Sequence, residues 1–320
     1  MSDTPNIKVT IDGQTIEVPN GTTILEAARM IGGELVPPAM CYYKPLAESG
    51  GKCRTCLVKV AAGSEKDPRP MPNLMPSCKT MVMDGMVVES SASAQVTEAR
   101  NGVTEMLLIN HPLDCPVCDQ AGECKLQDLA FENGLQKTRY EEERREFEPT
   151  DIGTYIKLHM NRCIMCYRCV FTANQVTESR EHGVLYRGDK AEIGTFIENS
   201  LENDFIGNVI DVCPVGALTD KTFRFKSRVW FTEQYDAHRD CDKCCGKVVL
   251  HKTGDEIVRV SARKNEWDEV EEWICNTCRF DKKSNSDWKI DGVRNNKRKS
   301  VQSLNKYPLS MPSKNEVLDK

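Results

Sequence analysis

His111-Pro112-Leu113-Asp114-Cys115-Pro116-Val117-Cys118-Asp119-Gln120-Ala121-Gly122-Glu123-Cys124 places one imidazole and three thiols within fourteen residues. Pro112 and Pro116 interrupt any regular helix here, and Gly122 loosens the backbone where it has to turn. Such a segment makes no ordinary core. It reads as a wrapping for a metal centre, with further cysteine-rich stretches on both sides.

The chain has 320 residues, enough for two or three domains, and 16 cysteines. The first ten residues, MSDTPNIKVT, lack the basic and apolar regions of a secretory signal, so a reducing compartment is expected. There, this many thiols point to metal ligation before disulfides. A net charge of -5 with 28% charged residues gives no pull toward nucleic acid. No apolar run approaches the ~18 residues that span a bilayer, so contact with a membrane is expected only through partners.

Ile7 to Ile11 alternates apolar and polar, Asp12-Gly13 supplies a tight turn, and Gln14 to Val18 returns as a second strand. Thr23 and Glu26 form a capping box ahead of Ile24, Ala27, Ala28 and Ile31, and Gly32 is placed to end that helix. A hairpin crossed by a helix begins a β-grasp domain. Cys41, Cys53, Cys56 and Cys78 follow with spacing C-x11-C-x2-C-x21-C, and Gly50-Gly51 lets the backbone approach sulfur as a [2Fe–2S] loop requires. The first interval is longer than in plant-type ferredoxins, and the proline-rich run Ala61 to Pro76 reads as an insertion. The competing account is four buried structural cysteines.

From Val96 to Ile109 the period turns helical, with Val96, Ala99, Val103 and Met106 on one face. That helix delivers His111 to Cys115, Cys118 and Cys124, a set that suits a [4Fe–4S] cluster with one imidazole ligand; zinc accepts the same donors. Glu141 to Glu146 reads as an exposed helix. Cys163, Cys166 and Cys169 then form the C-x2-C-x2-C run of bacterial ferredoxins, completed by Cys213 before Pro214. One triplet with one Cys-Pro makes a single all-cysteine [4Fe–4S] set, and zinc rarely uses that spacing. Gly50, Gly51, Gly122 and Gly216 are candidate amide donors to the sulfurs.

Beyond Asp236, Cys241, Cys244 and Cys245 precede a strand from Val248 to His251, a turn at Thr253-Gly254-Asp255 and a strand from Ile257 to Val260; Cys275 and Cys278 close the unit. Two C-x2-C knuckles around a hairpin suit zinc or a further [4Fe–4S] cluster, with Cys245 as a substitute ligand. Past Trp288 the chain is polar, and Arg294, Lys297, Arg298 and Lys299 read as a tail lying on a partner rather than a nucleic-acid patch.

With these motifs together and in this order, the chain resembles the large iron–sulfur subunit of bacterial respiratory complex I, the proton-pumping NADH:quinone oxidoreductase. The resemblance runs from about residue 7 to residue 288 and rests on Cys41 to Cys56, HPLDCPVCDQAGECKLQD at His111 to Asp128, CIMCYRC at Cys163 to Cys169, and DVCPVGALTD at Asp211 to Asp220. It implies one [2Fe–2S] and two [4Fe–4S] clusters on the first twelve ligands, and a short form lacking the large molybdopterin-type domain. The family's optional extra cluster uses C-x2-C-x3-C with a distant cysteine. Cys241, Cys244 and Cys275 fit that pattern, but Val248 stands at its third position and Cys245 and Cys278 are present instead, which leaves cluster and zinc close to even, with zinc slightly favoured because two spaced knuckles can give a closed tetrahedral set.

The expected fold is α+β. It comprises an N-terminal β-grasp [2Fe–2S] domain (1–92), a helical segment with the histidine-ligated cluster (93–136), a ferredoxin-like [4Fe–4S] domain (137–235), a small β-rich metal module (236–288) and a polar tail (289–320). The sequence has neither G-x-G-x-x-G after a strand nor a phosphate loop, so no dinucleotide site is expected. As the resemblance implies, the chain is an electron relay between a flavin-bearing NADH-oxidising subunit and quinone-side iron–sulfur subunits. It is expected in the peripheral arm, on the cytoplasmic face of the inner membrane. The alternatives are the diaphorase subunit of an NAD-linked hydrogenase and a zinc-binding scaffold.

Overall fold

A computed structural model describes residues 5–134, 138–196, 202–281 and 285–294. Strands β1 (Asn6–Ile11) and β2 (Gln14–Pro19) pair in antiparallel register, with Asp12 at φ 46° and Gly13 at φ 82° in the turn between them. Helix α1 (Ile24–Ile31) is capped by Thr23, whose hydroxyl accepts the Glu26 N–H at 3.2 Å, and ends at Gly32. The Glu26 carboxylate also accepts a 3.0 Å bond from the Tyr42 hydroxyl, tying α1 to the first ligand loop. With β3 (Leu57–Ala62), β4 (Met75–Pro76) and β5 (Met86–Glu89) the sheet order is β2-β1-β5-β3-β4, with β1 parallel to β5. The alternating inward residues Val9, Ile11, Val58, Val60, Met86 and Val88 pack with Ile24, Ala27 and Ala28 of α1.

Helix α2 (Ala94–Leu108) departs from the expected face. Its buried stripe is Val96, Arg100 and Thr104, whereas Met106 is 71% exposed. The Arg100 guanidinium reaches back to the Leu57 carbonyl at 2.9 Å and the Ser90 hydroxyl at 2.9 Å, and Thr104 donates to the Arg100 carbonyl at 2.8 Å. A polar stripe with its bonds satisfied internally is invisible to an apolar periodicity. Helix α3 (Lys125–Asn133) follows directly from Cys124. Residues 138–149 form no helix. They run irregularly beside the end of α2, where Arg144 donates to the His111 carbonyl at 3.1 Å and the Arg145 N–H to Asn110 Oδ1 at 3.1 Å. Those long-range bonds displace the helical reading of Glu141 to Glu146.

The ferredoxin-like part contains β6 (Thr150–Asp151), β7 (Ile156–Leu158), α4 (Arg168–Val176), β8 (His182–Leu185), β9 (Glu192–Thr195), α5 (Asn208–Val212) and β10 (Leu218–Asp220). β10, β7 and β6 make one small sheet, and β8 and β9 another. The last unit is built from β11 (Glu233–His238), β12 (Lys247–Thr253), β13 (Glu256–Ala262), α6 (Asn276–Phe280) and β14 (Lys289–Val293), in sheet order β13-β12-β11-β14. Residues read as the start of a tail therefore form an edge strand: Lys289 to Val293 pairs with β11, and Arg294 binds Asp236 at 3.0 Å. Lys297, Arg298 and Lys299 lie outside the described residues.

Candidate iron–sulfur and metal sites

The first set surrounds the loop between α1 and β3. Gly50 (φ 101°) and Gly51 (φ 74°) adopt backbone conformations that favour glycine, and the turn they make aims amides at sulfur. The Gly51 N–H donates to Cys78 Sγ at 3.2 Å, and those of Lys52 and Cys53 to Cys41 Sγ at 3.3 Å. A Cβ on Gly50 would stand 3.2 Å from Cys78 Sγ. All four thiols are buried. Hydrogen bonds from the Cys53 and Cys78 thiols hold Cys41 well below the usual thiol range, and the same contacts together with burial push Cys53 and Cys78 above it.

In the second set, Cys118 and Cys124 are buried and Cys115 is half-buried. His111 Nδ1 is buried with no hydrogen-bond partner among the described residues. Burial lowers its pKa to about 4, so the imidazole is neutral near pH 7, the form that donates to a metal. An orphaned neutral nitrogen four residues before Cys115 in the chain fits a ligand. Gly122, expected to serve sulfur, instead donates its N–H to Gln127 Oε1 at 3.2 Å.

In the third set, Met165 (φ 52°) and Tyr167 (φ 63°) are left-handed residues alternating with the ligands, which curls the loop so that the Met165 N–H reaches Cys163 Sγ at 3.4 Å. Burial pushes Cys166 up to about 12 and Cys169 well above the usual thiol value; the neighbouring Cys163, Cys166 and Cys213 raise Cys169 further. The structure therefore brings Cys213 together with the triplet. Loading such protonated thiols with metal must release protons. Among the described residues, neither the second nor the third set draws its donor atoms to within 4.8 Å of one another.

Two arginines that motif spacing does not single out join these loops. Arg162 Nε binds Asp114 at 2.9 Å, and its Nη1 donates to the Gly216 carbonyl at 3.4 Å, bridging the second and third sets. Arg168, 2% exposed, donates to the Tyr42 carbonyl at 2.6 Å, the Ala39 carbonyl at 3.1 Å and the Val212 carbonyl at 3.4 Å, so it spans the first and third sets. Their only signal in the sequence is position, each directly before a ligand cysteine. Gly216 completes the contact: a Cβ there would lie 2.1 Å from Cys118 Sγ.

Cys241, Cys244, Cys275 and Cys278 converge, all four sulfurs lying within 4.8 Å of one another. Cys245 is exposed and outside this group; its sulfur accepts the Lys247 N–H at 3.4 Å.

Three family models match the chain: a 2Fe-2S iron-sulfur cluster binding domain over residues 4–93, the NADH-ubiquinone oxidoreductase-G iron-sulfur binding region over 100–139, and the ferredoxin-like domain of NADH-quinone oxidoreductase subunit 3 over 153–219. An NADH-quinone oxidoreductase subunit of Rickettsia bellii is 42% identical over 275 residues, which are 86% of this chain and 38% of that protein. Over that span the chain is similar to NADH-quinone oxidoreductase iron–sulfur subunits. Another relative, the NADH-ubiquinone oxidoreductase 75 kDa subunit of Reclinomonas americana, is 42% identical over 274 residues and is likewise covered over 38% of its length. The chain thus spans well under half the length of these relatives. It carries a 2Fe-2S domain and two 4Fe-4S binding domains, together with the group of four cysteines. Among solved structures, a chain from the NAD+-reducing [NiFe]-hydrogenase in the H2-reduced state aligns with TM-score 0.58 and 25% identity, covering 70% of this chain and 91% of that one. Among the described residues, no helix is long and apolar enough to cross a membrane.

Proposed function

We propose that this chain relays single electrons within an NADH:quinone oxidoreductase, from a flavin-bearing NADH-oxidising partner toward quinone-side iron–sulfur partners, and performs no bond-making step itself. The observation that carries the reading is one shared core. Cys41 and Cys53 of the first set, Cys124 of the second, and Cys166, Cys169 and Cys213 of the third pack in a single buried apolar cluster with Leu126, Ile156 and Val209. Adjoining ligand sets in one apolar core, with Cys124 Sγ 3.9 Å from the Pro214 carbonyl beside Cys213, support electron exchange through protein without a mobile carrier.

In this reading Cys41, Cys53, Cys56 and Cys78 hold a [2Fe–2S] cluster. His111, Cys115, Cys118 and Cys124 hold one [4Fe–4S] cluster, and Cys163, Cys166, Cys169 and Cys213 hold the other. When bound, these clusters supply one-electron redox chemistry. The residues of the chain set ligand charge through His111, donate amides to sulfur at Gly51, Lys52, Cys53 and Met165, and exclude water with the shared apolar core. Placement in a peripheral arm on the cytoplasmic face follows from the same reading. The hydrogenase match supports a second reading, the diaphorase subunit of an NAD-linked hydrogenase. The oxidoreductase relatives align over 86% of the chain against 70% for the hydrogenase, and favour the first.

Anaerobically purified chain should be brown, contain about ten irons and bleach with dithionite. Colourless protein with zinc and no iron would overturn the relay and favour a zinc scaffold.

A further inference from the structure

We propose that Cys241, Cys244, Cys275 and Cys278 bind a single zinc ion in a closed, redox-silent site that locks the C-terminal sheet unit onto the helix leading to Cys213. The geometry is that of one ion. Four sulfur pairs are separated by 3.8 Å (Cys241–Cys275), 3.8 Å (Cys241–Cys244), 3.7 Å (Cys244–Cys275) and 3.6 Å (Cys244–Cys278). A tetrahedron with Zn–S bonds of about 2.3 Å has edges of about 3.8 Å. A cube of irons would hold its four thiolates on separate corners, further apart than these.

The surroundings are built for a dianionic tetrathiolate. Arg239 Nε donates to Cys278 Sγ at 3.3 Å, and the N–H groups of Gly246 and Cys278 donate to Cys244 and Cys275 at 3.4 Å each. The guanidinium is held in place by stacking on Trp288, 4.8 Å from the ring centroid. Gly246 sits at φ 69°, where a Cβ would come within 2.0 Å of the Arg239 carbonyl oxygen, so the knuckle closes only with glycine. Cys275 and Cys278 are fully buried and Cys241 and Cys244 half-buried, which leaves no open coordination position for a substrate. Among divalent ions in a reducing compartment, thiolates hold zinc more tightly than ferrous iron.

The site also has something to hold. Between the paired cysteines, Asn276 donates its N–H to the Asp204 carbonyl at 2.6 Å, and its Oδ1 accepts the Gly207 N–H at 3.0 Å. Asn208 Nδ2, on α5, donates to the Ile274 carbonyl at 2.8 Å. Arg279, one residue past Cys278, pairs with buried Asp211 of α5. Helix α5 ends at Cys213. The ion therefore fixes α6, and α6 fixes the segment that presents a ligand of the third set.

The test uses the full chain purified anaerobically from cells supplied with iron and zinc, with zinc and iron counted by mass spectrometry and the zinc environment read by X-ray absorption. One zinc per chain with four sulfurs at about 2.3 Å is expected. Cys278→Ser should lose that zinc and, with α5 no longer held by α6, lower the urea midpoint of the chain, whereas Cys245→Ser should keep the zinc and the midpoint. Four additional irons, a mononuclear iron signal, a disulfide without metal, or zinc loss in Cys245→Ser would each overturn the assignment. The absorption measurement on the unaltered chain stands even if Cys278→Ser does not fold. The iron count tests the relay separately.

Discussion

His111 is the residue on which the second set turns. In the proposed assignment, neutral imidazole in place of thiolate removes one negative charge from the bound centre and makes it easier to reduce. His111→Cys should retain a cluster whose potential falls by on the order of 100 mV. A redox titration showing an unchanged or higher potential would mean that His111 is not a ligand. The residue is legible because three cysteines follow it at fixed spacing. Arg162 and Arg168 are not, because nothing in a linear pattern says that a guanidinium flanking a cysteine will turn inward to bridge two ligand loops.

Between elements, the tie with most at stake joins α5 to α6. Asp211 and Arg279 are almost wholly buried, and the Asp211 carboxylate also accepts the Ala262 N–H at 3.3 Å. Asp211→Asn would leave the guanidinium charged and uncompensated, at a cost of about 3–5 kcal/mol. Urea unfolding of the loaded chain should show a lower midpoint for Asp211→Asn, and a partial recovery when Arg279→Met is added. Absence of recovery would locate the loss in the carboxylate's other bonds rather than in a stranded charge. This contact is hidden from the sequence for the same reason that the buried face of α2 differs from its apolar spacing. Such spacing reports which side of a helix can be buried cheaply. Arg100, Asp211 and Arg279 are buried because distant carbonyls, amides and carboxylates wait for them. Where residues meet near in sequence, as in the hairpin at Asp12-Gly13 and the cap at Thr23, local chemistry is enough.

For the molecule as a whole, acid is a specific threat. Burial lowers His182, on β8, to about 4, and among the described residues neither of its ring nitrogens has a partner; burial likewise holds His251, on β12, well below its ordinary value. Between pH 6.5 and about 4 the unfolded chain therefore binds protons that the folded chain refuses, so stability is intact above pH 6.5 and falls as the pH drops through that window. Each such group contributes a slope of about 1.4 kcal/mol per pH unit, and His182→Gln should remove one share of it in urea midpoints measured across the range. An unaltered slope would point to other groups. The shared core carries a further consequence, for how the protein is made. Thiols from three separate ligand sets sit inside one apolar cluster, so binding at those thiols is coupled to the stability of the core. Chain made under iron starvation is therefore expected to be cut by protease faster than loaded chain, and limited proteolysis of the two preparations side by side checks this.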